Sequence, residues 1–448
     1  MNDEPSFTAP QGEETTGRYI VTFRDGIETN EMNALLRENG IKTLPSTADF
    51  SAPTFEPAQL SAEDGVYFPL LGMAVVTLDN TGLNNLMGVA AQDASILDIE
   101  PERMFYAIGG DEALSLPYLH GYRDAVNHLV DKASSSASEL NAEVAATFPD
   151  DAQSTWGLKA TRVINSRYTG QGIKIAVLDT GMDLNHPDFR GRAIQSRSFI
   201  PGQTVQDKHG HGTHCIGTAC GRKNSLGRRY GVATNSTIFA GKVLDNAGSG
   251  PTSGILAGME WAIANECHVI SMSLGNRVPT PSTAYDNAGR RALQRGCLIV
   301  AAAGNHRELG NSNGSFLGTV GQPANSPSIL AVAALDNQLQ LASFSCQSGT
   351  SAGANVDIAG PGVSVYSSVP DPFPASVQPG GQGRPWPPRY HTISGTSMAT
   401  PHVAGIAALY AEAFQVRGEA LWRLIVSRAL RLTLPNVDVG AGLVQAPT

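Results

Sequence analysis

Ser394-Gly395-Thr396-Ser397-Met398-Ala399-Thr400-Pro401-His402-Val403-Ala404-Gly405 is the stretch on which the reading of this chain turns. A serine hydroxyl is a poor nucleophile at neutral pH unless a base takes its proton and dipoles await the oxyanion. Gly395 lets backbone approach a substrate closely, and Val403, Ile406, Ala407, Leu409 and Tyr410 predict a buried helix. Pro401 is tolerable only near the start of such a helix. Ser397 is therefore expected at the positive end of the helix dipole. Alone, a Ser-Gly-Thr-Ser would be a helix cap; its partners elsewhere change that.

Ile173 to Leu178 reads as a buried parallel strand that ends in Asp179-Thr180-Gly181. A carboxylate there lies where open α/β sheets bind ligands. His209-Gly210-His211-Gly212-Thr213-His214-Cys215 opens a second helix, and the strand from Leu298 to Gly304 closes on Asn305. Each has a plainer explanation as a cap, a core histidine or a turn. An acid, a base, an amide donor and a nucleophile, all at element boundaries, are hard to assemble by chance.

These residues carry a resemblance. Asp-Thr-Gly at 179–181, His-Gly-Thr-His at 211–214, Ser-Leu-Gly at 273–275, Ala-Ala-Gly-Asn at 302–305 and Gly-Thr-Ser-Met-Ala-Thr-Pro-His at 395–402 resemble, in order, the motifs of the subtilisin-like serine proteases. The resemblance runs from about Trp156 to Val444 and implies a three-layer α/β fold, a parallel sheet flanked by helices. It also implies roles. Ser397 attacks the scissile carbonyl, His211 acts as general base and then acid, and Asp179 orients and stabilises the imidazolium. The Asn305 amide and the Ser397 backbone N–H form the oxyanion hole. The order Asp, His, Ser is the one subtilisins use, and no cofactor is implied for catalysis.

The same resemblance makes Ser273-Leu274-Gly275 and Gly248-Ser249-Gly250 two edges that pair with an extended peptide by β-augmentation. Ala301, Ala302, Gly304 and Gly321 would line the pocket for the side chain before the cleaved bond. Small uncharged walls lead to an expected preference for large apolar or aromatic residues. Asp188 and Asn224 resemble family calcium ligands and offer hard oxygen donors. Arg222, Lys223, Arg228 and Arg229 crowd that loop, so structural calcium is an open expectation.

The 448 residues allow two or three domains, and 41% hydrophobic with 16% charged residues suits a soluble protein with sizeable cores. The 48 glycines fit a fold with many close backbone approaches. No run approaches a membrane span, and the polar start Met1-Asn2-Asp3-Glu4-Pro5 has no apolar signal core. A cytoplasmic location is the default expectation, with unconventional export the alternative. The five cysteines, Cys215, Cys220, Cys267, Cys297 and Cys346, fall in apolar runs and are expected to be free buried thiols. Cys215 is expected to pack behind His211.

Charge divides the chain. Residues 1–150 hold 24 acidic and 7 basic residues, net −17, and residues 151–448 hold 16 and 24, net +8, together the overall −9. Two mutually attracting surfaces are implied, and the negative balance argues against nucleic acid as a partner.

Residues 1–17 read as a disordered tail and 18–107 as a small separate domain. Arg18 to Phe23 is strand-like, Glu28 to Asn39 helical, 43–64 a Pro/Ser/Ala-rich loop, Val66 to Leu78 strand-like, Leu83 to Ala91 helical and Ser95 to Phe105 strand-like. That is a ferredoxin-like α+β pattern. It resembles the inhibitor prodomain of subtilisins, including Tyr19-Ile20-Val21 and Phe23 before Asp25-Gly26. The resemblance implies that this domain aids folding and blocks the cleft until cut, so the chain's partners are protein or peptide substrates and its own prodomain. Met104-Phe105-Tyr106-Ala107 suits an apolar pocket, with cleavage expected near Tyr106. Residues 108–150 form a linker with a possible amphipathic helix (Tyr118, Leu119, Tyr122, Val126, Leu129, Val130), and 151–448 the catalytic domain. Pro370 to Pro388 is a proline-rich loop just before the nucleophile.

Two competing readings remain. His209, His211 and His214 have the spacing of a metallo-hydrolase zinc motif, but Thr213 stands where an aspartate is expected. A peptide-binding scaffold without catalysis would leave the full set of catalytic residue types unexplained.

Overall fold

The computed structural model describes residues 14–27, 29–39, 41, 44–47, 65–92, 95–108, 147–307, 318–373 and 389–448. The expected helix within 108–150 and most of the 370–388 loop lie outside them. The larger, C-terminal part is built on a parallel sheet of seven strands among the described residues. Its elements begin with β5 (Lys174–Asp179), β6 (Ile194–Ser198) and β7 (Thr237–Lys242), then β9 (Val269–Met272), β11 (Leu298–Ala302), β12 (Leu330–Leu335) and β13 (Ile358–Pro361). The spatial order is β13-β12-β11-β9-β5-β7-β6.

Side-chain alternation decides how the layers form. Ile175 and Val177 of β5, Leu298 and Val300 of β11, and Leu330, Val332 and Ala334 of β12 enter one core. The residues between them, Ala176 and Leu178, Ile299 and Ala301, Ala331 and Ala333, enter the other. Both faces are apolar because both are covered. The first core is roofed by two helices, His211–Cys220 and Thr396–Phe414, and the second by Thr252–Ala264 and Thr283–Gln294. Each polar strand end therefore emerges between layers at the carboxyl edge, where Asp179 and Asn305 stand.

The N-terminal domain consists of β1 (Thr15–Phe23), α1 (Thr29–Glu38), β2 (Gly65–Phe68), β3 (Met73–Val76), α2 (Asn80–Gln92) and β4 (Ile96–Ala107). The stretch expected as one strand, Val66 to Leu78, is a hairpin, because Pro69 and Gly72 punctuate it. The antiparallel order β4-β1-β3-β2 completes the ferredoxin-like pattern. Its sheet also sorts its residues. Val21, Phe23, Tyr67, Ala74 and Val76 pack under the domain's own helices. Ile20, Val66, Phe68, Met73, Val75 and Phe105 point the other way and join the core of the larger part.

That apolar face holds the two parts together. Burying six such side chains is worth about 1.5–3 kcal/mol each before ordering costs. Ion pairs such as Arg291–Asp25 at 2.7 Å contribute roughly 0–1 kcal/mol each. Polar specificity comes from carboxylates aimed at helix starts. Glu100 accepts from the Ser282 hydroxyl at 2.7 Å and the Ala284 N–H at 2.8 Å, opening the helix Thr283–Gln294. Glu102 accepts from the Ser253 N–H at 2.8 Å, opening the helix Thr252–Ala264, and from Arg18 at 2.7 Å. Negative groups at helix N-termini are stabilising. Glu260 reciprocates, accepting from the Leu70 N–H at 2.6 Å and from the Thr47 hydroxyl. The charge division in the sequence thus has a structural counterpart in carboxylates that complete the other part's helices. Phe105→Ala should weaken docking of the two parts by about 3 kcal/mol, roughly a hundredfold. Limited proteolysis or titration of separated pieces would read the change.

Candidate active site

Asp179, His211 and Ser397 come together from three element ends. Asp179 closes β5 and is fully buried. Its Oδ1 lies 2.7 Å from Nδ1 of His211 and also accepts the Thr180 N–H at 2.7 Å. His211 begins its helix after Gly210, whose φ of 103° is a conformation glycine adopts freely. Asp207, which the sequence reading missed, fixes this helix start. Its Oδ1 accepts the N–H groups of His209 and Gly210, and its Oδ2 accepts the N–H and hydroxyl of Thr213. The signal was available as an acidic residue three positions ahead of Gly210, which leads the helix.

Burial would by itself push the His211 imidazole down, but the Asp179 charge and hydrogen bond hold it well above the usual histidine value. Its Nε2 is buried and has no hydrogen-bond partner. The Ser397 hydroxyl rests elsewhere, donating to the Ser273 carbonyl at 3.1 Å. Catalytic hydrogen bonds of this kind commonly tighten only with substrate bound. A rotation about the Ser397 Cα–Cβ bond is the movement that redirects the hydroxyl.

Pro401 lies inside the helix Thr396–Phe414, four residues after Ser397. It has no N–H, so the Ser397 carbonyl loses its helical donor. The Ser273 hydroxyl at 2.8 Å supplies one instead, and the Cys215 thiol lies 3.6 Å away. Cys215 is also 3.9 Å from Nδ1 of His211, behind the imidazole as expected. Burial raises its pKa, as for the other four cysteines, all of them free and buried.

Asn305 follows β11. Its Oδ1 accepts both the N–H and the hydroxyl of Thr396, each at 2.9 Å. The same hydroxyl accepts the Gly304 N–H at 3.2 Å. The amide orientation is therefore fixed, and Nδ2 is what the side chain offers beside the Ser397 helix start.

The cleft is filled by β4. Residues Met104, Phe105 and Tyr106 pair with Pro251, Gly250 and Ser249 of β8 (Ser249–Pro251), while Tyr106 and Ala107 pair with Gly275 and Leu274 of β10 (Leu274–Gly275). The Ala107 N–H reaches the Gly248 carbonyl at 2.8 Å, and the Ile108 N–H reaches the Ser273 carbonyl at 3.2 Å. The latter carbonyl also receives the Ser397 hydroxyl. The cut expected near Tyr106 falls in this paired strand, and the register brings Ile108, two residues on, to the Ser273 carbonyl. The Tyr106 hydroxyl meets Glu14, whereas the Ile108 N–H shares its acceptor with the Ser397 hydroxyl. A side chain at Gly275 would come within 2.6 Å of Ile108 Cδ1, so this glycine leaves room for the residue that follows β4. Gly250 and Gly321 have another reason. Side chains there would strike the carbonyls of Val243 and Asn276 at 2.1 and 1.9 Å. Phe105 is fully buried, edge-on to Tyr285 with ring centres 5.2 Å apart. Ala302 ends β11 and is buried, as is Gly304 just after it, with His306 and Cys346 behind Gly304.

The zinc reading fails on geometry. His214 turns its Nε2 to the Val365 carbonyl at 2.9 Å, and the His209 and His211 rings meet edge-on at 6.2 Å. Among the described residues, the one metal-competent group is Asp179, His211 and Cys215. The calcium expectation for Asp188 and Asn224 also meets a conflict. Asp188 accepts hydrogen bonds from the Tyr230 hydroxyl at 2.7 Å and the Tyr390 hydroxyl at 2.9 Å. The Asn224 Oδ1 accepts the N–H groups of Leu226 and Arg228. Hydrogens face these oxygens where a cation would have to stand, so the pair does not fit an ion.

A model of the subtilase family, peptidase S8, matches residues 170–442. Subtilisin of Bacillus pumilus is 44% identical over 254 residues, 56% of this chain and 81% of that protein. Subtilisin E of Bacillus subtilis (strain 168) is 43% identical over 254 residues, 56% of this chain and 58% of that protein. An alkaline protease of Alkalihalobacillus alcalophilus is 36% identical over 339 residues, 72% of this chain and 80% of its own length. That last stretch is longer than the whole of 151–448 and so reaches into the N-terminal region. With the motifs, the parallel sheet and the matched family model in agreement, the chain belongs to the subtilase family of serine peptidases.

Proposed function

We propose that this chain is a serine endopeptidase acting through an acyl-enzyme and held as a zymogen by its own N-terminal domain. The observation that carries the proposal is the Ser273 carbonyl, which receives both the Ile108 N–H and the Ser397 hydroxyl. A peptide lying along β8 and β10 thereby brings one backbone carbonyl to the nucleophile.

In the reaction, the Ser397 oxygen adds to the carbonyl carbon while its proton passes to Nε2 of His211. Negative charge on the carbonyl oxygen is met by the Asn305 Nδ2 and the Ser397 N–H. The imidazolium, stabilised by Asp179, returns the proton to the leaving nitrogen as the C–N bond breaks. Water then attacks the serine ester by the same proton route. No cofactor enters. Ile108 against Gly275 supports a taste for apolar residues before the cut, and the register supports self-cleavage at Ile108–Gly109. The buried Phe105 supports a second apolar anchor three residues upstream. We read 18–107 as the inhibitory domain and 151–448 as the catalytic one.

Mass spectrometry of the purified protein should show an N-terminal fragment ending at Ile108, while Ser397→Ala stays intact. A cut after Tyr106 would contradict the register. Asn305→Leu should lower kcat roughly 10²–10³-fold with little change in KM, the size known for such a donor in a subtilisin. Activity requires neutral His211, whose pKa lies above the ordinary value. The rise of kcat/KM with pH should therefore be centred above about 6.5, and Asp179→Asn should cut kcat by about 10⁴.

A further inference from the structure

The conflict at Asp188 and Asn224 has a positive content. Tyr230, Tyr366 and Tyr390 form a closed buried cluster of their own. Tyr366 and Tyr390 stack at 5.5 Å and 10°, and Tyr230 meets both edge-on at 6.2 and 6.0 Å. Two of the three hydroxyls end on Asp188, and the third accepts from the Asn224 Nδ2 at 3.0 Å. Arg228 lies over the Tyr366 ring at 4.8 Å and pairs with Asp150 at 2.6 Å, which brings a fixed positive charge to the cluster.

The chain positions are informative. Asp188 follows Asp179 by nine residues; Asn224 and Tyr230 follow the helix that starts at His211; Tyr366 and Tyr390 sit on the hairpin β14 (Val365–Ser368) and β15 (Tyr390–Ile393), which leads into Ser397. Beside Tyr366, the Ser367 and Ser368 hydroxyls donate to the His214 and Thr213 carbonyls at 2.9 and 3.1 Å. One hub thus ties together the three segments that carry the triad. A calcium ion would need six to eight oxygens turned towards it, whereas donors already claim the oxygens here.

We propose that the Asp188–Tyr230–Tyr390 hub, with Tyr366 stacked on it, is a metal-free brace that holds the triad-bearing segments in register. These are positioning residues, and at this place the chain needs no ion. The claim about activity rests on the peptidase reading; the claim about the brace does not.

The test uses full-length Ser397→Ala protein, which cannot digest itself. Terbium titration should give no saturable tyrosine-sensitised luminescence, and the thermal midpoint should be the same in EGTA and in calcium. Adding Tyr230→Phe or Tyr390→Phe should lower the midpoint by several degrees, equally in both buffers. In the Ser397 protein, the same substitutions should lower kcat several-fold well below the midpoint, with KM unchanged. A saturable terbium signal that calcium displaces and Asp188→Asn abolishes would overturn the proposal. So would hydroxyl removals that change neither midpoint nor kcat. If a phenylalanine variant fails to fold, the terbium and chelator results decide, and neither needs turnover.

Discussion

The constraint on which the site depends is a missing hydrogen. Pro401 deprives the Ser397 carbonyl of its helical partner, and a buried carbonyl without a donor costs of order 1–3 kcal/mol. The Ser273 hydroxyl supplies that donor, with the Cys215 thiol alongside. Ser273 belongs to the edge that pairs with the bound strand, and Cys215 to the helix of His211. The β10 edge, the His211 helix and the Ser397 helix are thus locked through one backbone oxygen. The packing that surrounds it, with alternate strand residues feeding two covered cores, keeps water out of the arrangement.

The two parts of the chain are joined by a different logic. Apolar area supplies the adhesion, while Glu100, Glu102 and Glu260 supply direction by completing helix starts or a hairpin across the boundary. These carboxylates are costly to bury, and burial raises Glu100 and pushes Glu260 up to about 8. Such groups make poor glue but good registration marks. A slip of β4 by one residue would strand Glu100 and Glu102 away from the N–H groups they serve.

Much of this was legible in the sequence. The triad residues sit at strand and helix ends, where periodicity stops and short polar motifs begin, so Asp179, His211, Asn305 and Ser397 could be named. The two-sided burial of β5 and β11 was legible as unbroken apolar runs. What stayed hidden depends on register or on distant partners. The apolar run Met104-Phe105-Tyr106-Ala107 points to a cut near Tyr106, because side-chain character is visible in a sequence and the pairing of β4 with Ser249 and Gly275 is not. The hairpin at Pro69 and Gly72 read as one strand because both arms are equally apolar. Asp188 and Asn224 offered oxygens, but the tyrosines that occupy them come from up to 202 residues away.

The pairing of β4 with both cleft edges has a kinetic corollary. Main-chain bonds to β8 and β10 are available to any extended peptide, so under the proposed zymogen reading guard and substrate contend for one groove. While covalently tethered, the guard enjoys an effective concentration on the order of millimolar, a benefit that vanishes when the tether is severed. On that reading, dilution and digestion of the freed fragment after severance would be the clock that sets how soon the enzyme turns outward.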